Sequence, residues 1–179
     1  MAEQNKKRRK REHLNDFYLD VSGKYVYRGR MYAYVGPLPR KAALAKAWIF
    51  AGLAAAAQVA NGFLPVPSLN GCFYVVVPYV IGLIAVCSAV WALGRITVAG
   101  EQLREYVYQE TAAQLPTRCM VGAVCSGLAF AGQLLYLLLK GTQQKLGLML
   151  LFAAFQFVAT VAMYKLKRFN FEDFWQILE

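Results

Sequence analysis

The sequence predicts an all-α membrane protein: a four-transmembrane-helix antiparallel bundle with a small N-terminal cytoplasmic β-ribbon and interfacial amphipathic helices. Two observations carry this prediction. Hydrophobic residues make up 58% of the 179-residue chain, which is above the roughly 45–50% found in ordinary soluble domains. The charged residues are also segregated, because residues 47–94, 120–139 and 146–164 contain no Asp, Glu, Lys or Arg. A soluble core does not require such long neutral stretches.

The neutral stretches match the length of membrane spans. Crossing about 30 Å of hydrocarbon takes roughly 20 apolar residues of helix, and a helix satisfies its own backbone polar groups there. We place spans at residues 46–64, 72–94, 119–139 and 146–164, within a transmembrane domain of residues 46–164. Residues 1–45 then form a cytoplasmic segment, residues 95–118 a cytoplasmic loop, and residues 165–179 a cytoplasmic tail.

Basic residues predict the orientation, because Lys and Arg are retained on the cytoplasmic side. Twelve of the 20 basic residues precede or open the first span, and the connection between the first two spans has none. In this orientation Trp48, Trp91 and Trp175 all fall at the inner interface, where tryptophan is enriched. We therefore expect a multi-pass protein of the plasma membrane with both termini in the cytoplasm.

The N-terminal segment contains a basic run, KKRRKR, that begins at Lys6 and ends at Arg11. One interpretation is a solvated topology determinant. The other is contact with anionic lipid of the inner leaflet, at about 1 kcal/mol per basic residue near the surface. No nucleic-acid partner is expected, because the run supplies charge without groups that read bases.

Short runs rich in Tyr and Val follow, and Gly-containing pairs separate them, which is typical of a β-meander. Tyr25 with Tyr27, and Tyr32 with Tyr34, would each share one face at the strand period. Such a ribbon is marginal alone and should lean on the membrane, the inner loop or a partner. It is either a docking element or an interfacial segment anchored by its tyrosines.

Two amphipathic helices are predicted beside the ribbon. The loop sequence EQLREYVYQETAAQ indicates a helix that ends before Pro116, and FNFEDFWQIL in the tail indicates an interfacial helix. Its aromatic side and the ribbon tyrosines together form the predicted docking surface. The members of that surface are Tyr25, Tyr27, Tyr32, Tyr34, Phe171, Phe174 and Trp175.

Within the spans, uncharged polar residues are the candidate site. An amide in hydrocarbon seeks a partner, and three glutamines from three spans fall near the midplane at about 1.5 Å of rise per residue. Each has a polar companion on its own helical face. The predicted layer consists of Gln58, Asn61, Ser126, Gln133, Gln156 and Thr160. It is either interhelical glue, at about 1 kcal/mol per bond, or the lining of a polar pocket.

Apart from Lys46, at the very start of the first span, the spans contain no Asp, Glu, His, Lys or Arg, whereas pumps and intramembrane hydrolases normally need such a side chain within the membrane. We therefore expect no catalytic residue, no cofactor and no metal. Cys87 and Cys125 lie at a similar depth on neighbouring spans, where free cysteine behaves as a buried hydrophobe; whether they do more stays open. Small residues recur at four-residue spacing on the first and third spans, which predicts that two helices approach closely there. They are Gly52, Ala56 and Ala60 on the first span and Ala123, Gly127 and Ala131 on the third.

These observations favour a non-enzymatic accessory or partner-binding subunit of a membrane complex that acts through its cytoplasmic face. Its expected partners are the lipid bilayer and either another protein or further copies of this chain. The alternative is an oligomeric channel or facilitator for a neutral or lipid-like solute. Four helices enclose little space, so a pore would need several subunits.

Overall fold

Four long helices dominate the computed structural model, which describes residues 17–19, 25–27, 29–140, 145–169 and 171–178. All four are long and apolar enough to cross a membrane. A fifth helix, α3, is short. The helices are α1 (Arg40–Gly62), α2 (Phe73–Ala99), α3 (Glu105–Glu110), α4 (Leu115–Lys140) and α5 (Leu146–Arg168).

The long helices form an antiparallel ring in which each packs against two neighbours, in the cyclic order α1, α2, α4, α5. We call the end at which α1 and α4 begin and α2 and α5 end the sheet end. The opposite end is the far end. Between α1 and α2 at the far end lies a 3-10 turn, Pro67–Asn70.

Small side chains pack tightly inside the bundle, and apolar side chains cover its outer surface. Ala47, Ala51 and Ala54 of α1 are fully buried, so neighbouring helices approach closely along this face. The outward faces carry large apolar side chains, such as Ile84, which is 62% exposed, and Leu138, which is 83% exposed. A water-soluble protein rarely exposes so much contiguous apolar surface, whereas a helix in lipid requires it.

The long helices extend further at the sheet end than the predicted spans. Helix α1 begins at Arg40, directly after Pro39, and α2 continues to Ala99 because Gly100, with a φ of 84°, ends it. Arg40 explains part of this extension. Its Nη2 donates hydrogen bonds to the carbonyl oxygens of Ile96 at 2.9 Å and Thr97 at 3.3 Å, which otherwise lack intrahelical partners at a helix end.

Helices α2 and α4 approach each other closely at Pro78 and Gly132. Proline has no N–H, so the carbonyl of Tyr74, one turn earlier, loses its normal helical partner. That oxygen faces α4 at Gly132, where a Cβ atom would lie only 2.7 Å from it. Glycine therefore leaves room for the displaced carbonyl.

Replacing Gly132 with valine should lower the free energy of unfolding by about 2 kcal/mol, because overpacking a close contact forces backbone shifts. The measurement is unfolding of the purified variant in mixed detergent micelles. Gly147→Val is the matched control, because a Cβ at Gly147 meets nothing within 4 Å. Equal losses in the two variants would contradict the proposed packing.

The small-residue spacing identified the wrong contact surfaces. A Cβ at Gly52 would meet nothing within 4 Å, and the nearest atom to one at Gly127 is Thr160 Cγ2, at an ordinary 3.7 Å. The close approaches lie instead at Gly132 and at Gly122, where a Cβ would sit 2.7 Å from Met163 Cε. Four-residue spacing alone does not reveal which side of a helix meets a neighbour.

Strands from three distant parts of the chain form a sheet at the sheet end. A separate two-stranded antiparallel pair joins β1 (Phe17–Leu19) to β2 (Tyr25–Tyr27). The three-stranded sheet has the order β4-β3-β5, with both pairings antiparallel. Its strands are β3 (Met31–Tyr34), β4 (Gln102–Arg104) and β5 (Trp175–Leu178). In its register, Tyr32 pairs with Leu103 on one side and with Ile177 on the other.

This sheet corrects three predictions. Strand β3 pairs not with β2, as a meander requires, but with the loop and the tail. The predicted loop helix is β4 followed by the six-residue α3, because Leu103 is fully buried beneath the sheet. The predicted tail helix is a 3-10 turn, Phe171–Phe174, followed by β5. The strand pairs with β3 along its length and buries Trp175, and this long-range pairing overrides the helical spacing of the aromatic residues.

Candidate functional site

Gln58 connects all four long helices. Its side chain is fully buried in α1, and its Nε2 donates hydrogen bonds to Ser126 Oγ of α4 at 2.7 Å and to Gln156 Oε1 of α5 at 3.3 Å. Gln156 Nε2 donates in return to Gln58 Oε1 at 3.2 Å. From α2, the hydroxyl of Tyr79 donates to the backbone oxygen of Gln58 at 3.0 Å. We call Gln58, Ser126, Gln156 and Tyr79 the polar cluster.

Neighbouring contacts hold the polar cluster in place. Thr160 Oγ1 donates to the backbone oxygen of Gln156 at 2.8 Å, so its hydroxyl is satisfied within α5. At Gly82 of α2 a Cβ atom would lie 3.2 Å from Ser126 Oγ and 3.4 Å from Gln58 Nε2. A larger residue there would press on both polar side chains.

Gln133 does not join the cluster. Its Oε1 accepts a hydrogen bond from Ser68 Oγ at 2.5 Å, in the turn between α1 and α2. Gln133 lies seven residues beyond Ser126 on α4, which is about 10 Å of helix. This distance explains why Gln133, which is predicted to belong to the same layer, makes no hydrogen bond to Gln58 or Gln156 among the described residues.

Unpaired amide atoms lie toward the far end. Asn61 is fully buried, and neither its Oδ1 nor its Nδ2 has a partner among the described residues; the same holds for Gln133 Nε2. Each unsatisfied buried group costs about 1–3 kcal/mol. These atoms give the far end of the interior a capacity for further hydrogen bonds that the polar cluster does not have.

The chemistry of the interior is that of neutral donors and acceptors. The polar cluster contains amides and hydroxyls, which hold helices together but do not exchange protons near neutral pH. No group of three or more His, Cys, Asp or Glu side chains that suits a metal ion occurs among the described residues. Cys87 is exposed, Cys125 is half-buried, and both are free thiols.

The predicted docking aromatics pack mostly on one another. Trp175 is only 4% exposed and Phe171 only 1%. The rings of Tyr34 and Trp175 meet edge to face at 5.6 Å, and Tyr32 stacks on Tyr108 of α3 at 4.0 Å. Tyr34 and Phe174 also meet edge to face. These residues are therefore the core of the sheet end and not an exposed docking surface.

Tyr27 of β2 and Tyr34 of β3 each make a hydrogen bond that fixes the position of their strand. Tyr27 Oη accepts from the backbone N–H of Glu105 at 3.3 Å, so β2 lies beside the start of α3. Tyr34 Oη donates to the carbonyl of Leu38 at 2.8 Å. Burial raises the pKa of Tyr34 above its ordinary value, although the positive charge of Arg40 opposes this shift. The Tyr34 hydroxyl thus stays protonated and remains a donor.

Two predicted features fall outside the described residues: the basic run from Lys6 to Arg11, and the side chain of Tyr25.

Sequence reasoning missed the open edge of β5, where Ile177 is 49% exposed and Leu178 is 45% exposed. The alternation of apolar Trp175, polar Gln176 and apolar Ile177 was the available signal, but four residues are too few to separate a strand from a helix. The chain matches no protein-family model, no curated protein and no solved structure.

Proposed function

We propose that this chain is a non-enzymatic multi-pass membrane protein that binds a protein partner through the open edge of β5. Four apolar helices with apolar outward faces support insertion into a bilayer. The sheet gathers the segment before α1, the α2–α4 connection and the segment after α5 at one end. Four crossings would place both ends of the chain on the same side of the membrane, as the sheet requires. The distribution of basic residues favours the cytoplasm for the sheet end.

The open edge of β5 is the observation that carries the proposal. Among the described residues, the strand pairs with β3 alone, so it is an outer strand of the sheet. Soluble proteins usually blunt such edges with lysine, proline or a bulge, but the strand reads WQIL and has none of these residues. An extended segment of a partner can add to such an edge through main-chain hydrogen bonds.

The backbone register shows which groups the edge offers. The N–H of Val35 donates to the carbonyl of Phe174 at 2.8 Å, and antiparallel hydrogen bonding repeats at every second residue. Gln176 and Leu178 therefore bond toward β3. The backbone groups of Trp175 and Ile177 then face outward, and Ile177 is the only one of the two with an exposed side chain among the described residues.

Charge indicates the nature of the partner segment. The chain carries a net charge of +10; near the sheet, exposed Arg30 precedes β3 and exposed Arg104 lies on β4, while exposed Asp173 precedes β5. An added strand with acidic as well as apolar side chains would complement this surface. The proposed partner is thus a protein with an extended, acidic and apolar segment on the cytoplasmic side.

Ile177→Pro should abolish partner binding while leaving the β3–β5 pairing intact, because it removes an outward N–H and proline is tolerated on edge strands. Ile177→Val keeps the N–H and the branched side chain and is the matched control. The measurement is site-specific photo-crosslinking at Gln176 in membranes, followed by purification in mild detergent. Crosslinks that survive Ile177→Pro unchanged, or recovery of the chain alone in every case, would overturn the proposal.

The alternative, an oligomeric facilitator for a neutral solute, draws its support from the unpaired amide atoms of Asn61 and Gln133. They resemble the lining of a polar path more than the satisfied polar cluster does. The polar cluster itself favours the interpretation that the polar layer holds the helices together, since each of its amide groups already has a partner within the bundle.

A further inference from the structure

A groove of about 570 Å³ opens between α1 and α2 near the sheet end. Its walls are apolar, with Trp48 on α1 facing Val90, Trp91 and Val98 on α2, and its single charged lining residue is Arg95. Trp91 is 51% exposed and Trp48 is 36% exposed. The groove therefore faces outward from the bundle and combines an apolar trough with a cationic end.

Hydrogen bonds fix the shape of this groove. Trp48 Nε1 donates to Thr97 Oγ1 at 3.0 Å, which holds the indole against α2. Arg95 Nη1 bonds to Glu110 Oε2 at 2.7 Å, and the side chain of Arg95 is 31% exposed. The salt bridge holds the guanidinium at the groove while part of it stays accessible.

A second arginine reinforces the positive charge. The Cζ atoms of Arg95 and Arg118 lie 5.1 Å and 5.6 Å from the centre of the Trp91 ring. Arg118 also donates to the backbone oxygens of Ser88 at 3.0 Å and Glu110 at 2.9 Å, so its position is fixed. Arg95 and Arg118 together carry two positive charges, and Glu110 carries one negative charge. The net charge beside the groove is therefore positive.

We infer that this groove binds an anionic phospholipid of the inner leaflet. One acyl chain lies along Trp48, Val90 and Trp91, and the phosphate meets Arg95. The inference rests on the proposed membrane location, but not on the proposed protein partner. Tryptophan and arginine at one depth are expected where the headgroups meet hydrocarbon.

The same geometry selects an anionic headgroup over a zwitterionic one. A choline group would seek the face of an aromatic ring, but the ring of Trp91 already has two guanidiniums beside it. A third cation there would be repelled by both. A headgroup whose net charge is negative gains the attraction to Arg95 without that repulsion.

The test reconstitutes the full chain into vesicles of equal phosphatidylglycerol and phosphatidylcholine, extracts it in mild detergent, and counts retained lipid by native mass spectrometry. The wild-type chain should retain phosphatidylglycerol in preference to phosphatidylcholine. Arg95→Gln should reduce that preference about fivefold, which corresponds to the loss of one basic residue near the surface.

Three variants separate charge from structural damage. Arg168→Gln is the matched control, because Arg168 also lies over an aromatic ring, Tyr164, at 5.7 Å, but does not line the groove. It should leave the preference unchanged. Glu110→Gln breaks the same salt bridge as Arg95→Gln but keeps the cation, so it should preserve or increase the preference. Arg95→Lys keeps the positive charge and should retain most of the preference for phosphatidylglycerol.

Equal retention of the two lipids by the wild-type chain would overturn the inference, as would the same fivefold loss in Arg168→Gln or Glu110→Gln. Flotation of the vesicles is measured first. A chain that does not float with the vesicles would overturn the proposed membrane location itself. A chain that floats but shows no lipid preference overturns the groove assignment alone.

Discussion

Replacing Trp175 with alanine is expected to lower the free energy of unfolding by about 3–5 kcal/mol, the usual effect of removing a large buried aromatic side chain. Trp175 is 4% exposed, and its ring meets Tyr34 at 5.6 Å and Phe171 at 6.3 Å. Its loss leaves a cavity where the tail joins β3. Hydrogen exchange of the β3 and β5 amides should accelerate strongly, while the amides of the long helices stay protected.

Trp175→Phe separates packing from hydrogen bonding at this position. The indole Nε1 is buried and has no partner among the described residues, so phenylalanine keeps most of the ring and removes an unsatisfied donor. This control should change stability by less than about 1.5 kcal/mol. If Trp175→Ala and Trp175→Phe exchange alike, ring packing does not hold the sheet end together.

Gln58→Leu should lower the free energy of unfolding by about 3 kcal/mol, because it leaves the Gln156 side chain and the Ser126 hydroxyl without their partner in an apolar interior. Measured interhelical hydrogen bonds in membrane proteins average nearer 0.6 kcal/mol, but Gln58 makes several at once. Unfolding by sodium dodecyl sulfate in mixed micelles gives the value. Val59→Leu, at the neighbouring exposed position, is the control and should have little effect.

A double-mutant cycle tests whether the glutamines act as a pair. Gln58→Leu with Gln156→Leu should lose less stability than the sum of the single variants, because an apolar pair leaves fewer stranded groups. Additive losses would contradict direct coupling. A solute path predicts a different pattern: Gln133→Leu, which removes an amide group with an unpaired donor, would abolish solute flux into vesicles while the free energy of unfolding changed little.

The sequence predicts the four helices well, because the signal is both local and long. Charge is excluded from residues 47–94, 120–139 and 146–164, and α1, α2, α4 and α5 cover almost all of them apart from the α1–α2 connection. The helix ends are less predictable. Arg40 begins α1, and its guanidinium donates to the carbonyls of Ile96 and Thr97, which are distant in sequence and which no local pattern indicates.

The polar layer was partly predictable from spacing. Depth along the helices places Gln58 and Gln156 together, and the structure has them hydrogen-bonded. Depth alone did not exclude Gln133, because an estimate good to several ångströms cannot separate residues two helical turns apart. Ser68, its actual partner, lies in a turn whose course no periodicity indicates.

The sheet could not be predicted from local patterns. The segment FEDFWQIL has aromatic residues at helical spacing, and its strand forms only because β3 supplies a pairing edge. Similarly, Leu103 and Val107 suit one face of a helix, yet Leu103 belongs to β4 and Val107 to α3. Strand propensity depends on what lies opposite the strand, which a single segment does not reveal.

Closure of this sheet has a consequence for biogenesis. Met31 pairs with Leu178 across most of the length of the chain, so the loop-closure entropy of that contact favours its forming late, after the helical hairpins. If the four long helices cross the membrane as proposed, a chain that skipped one span would hold β3 and β5 on opposite sides of the lipid. In that case neither strand could pair with the other, so on the proposed membrane location the sheet would form only in chains that have the correct number of crossings.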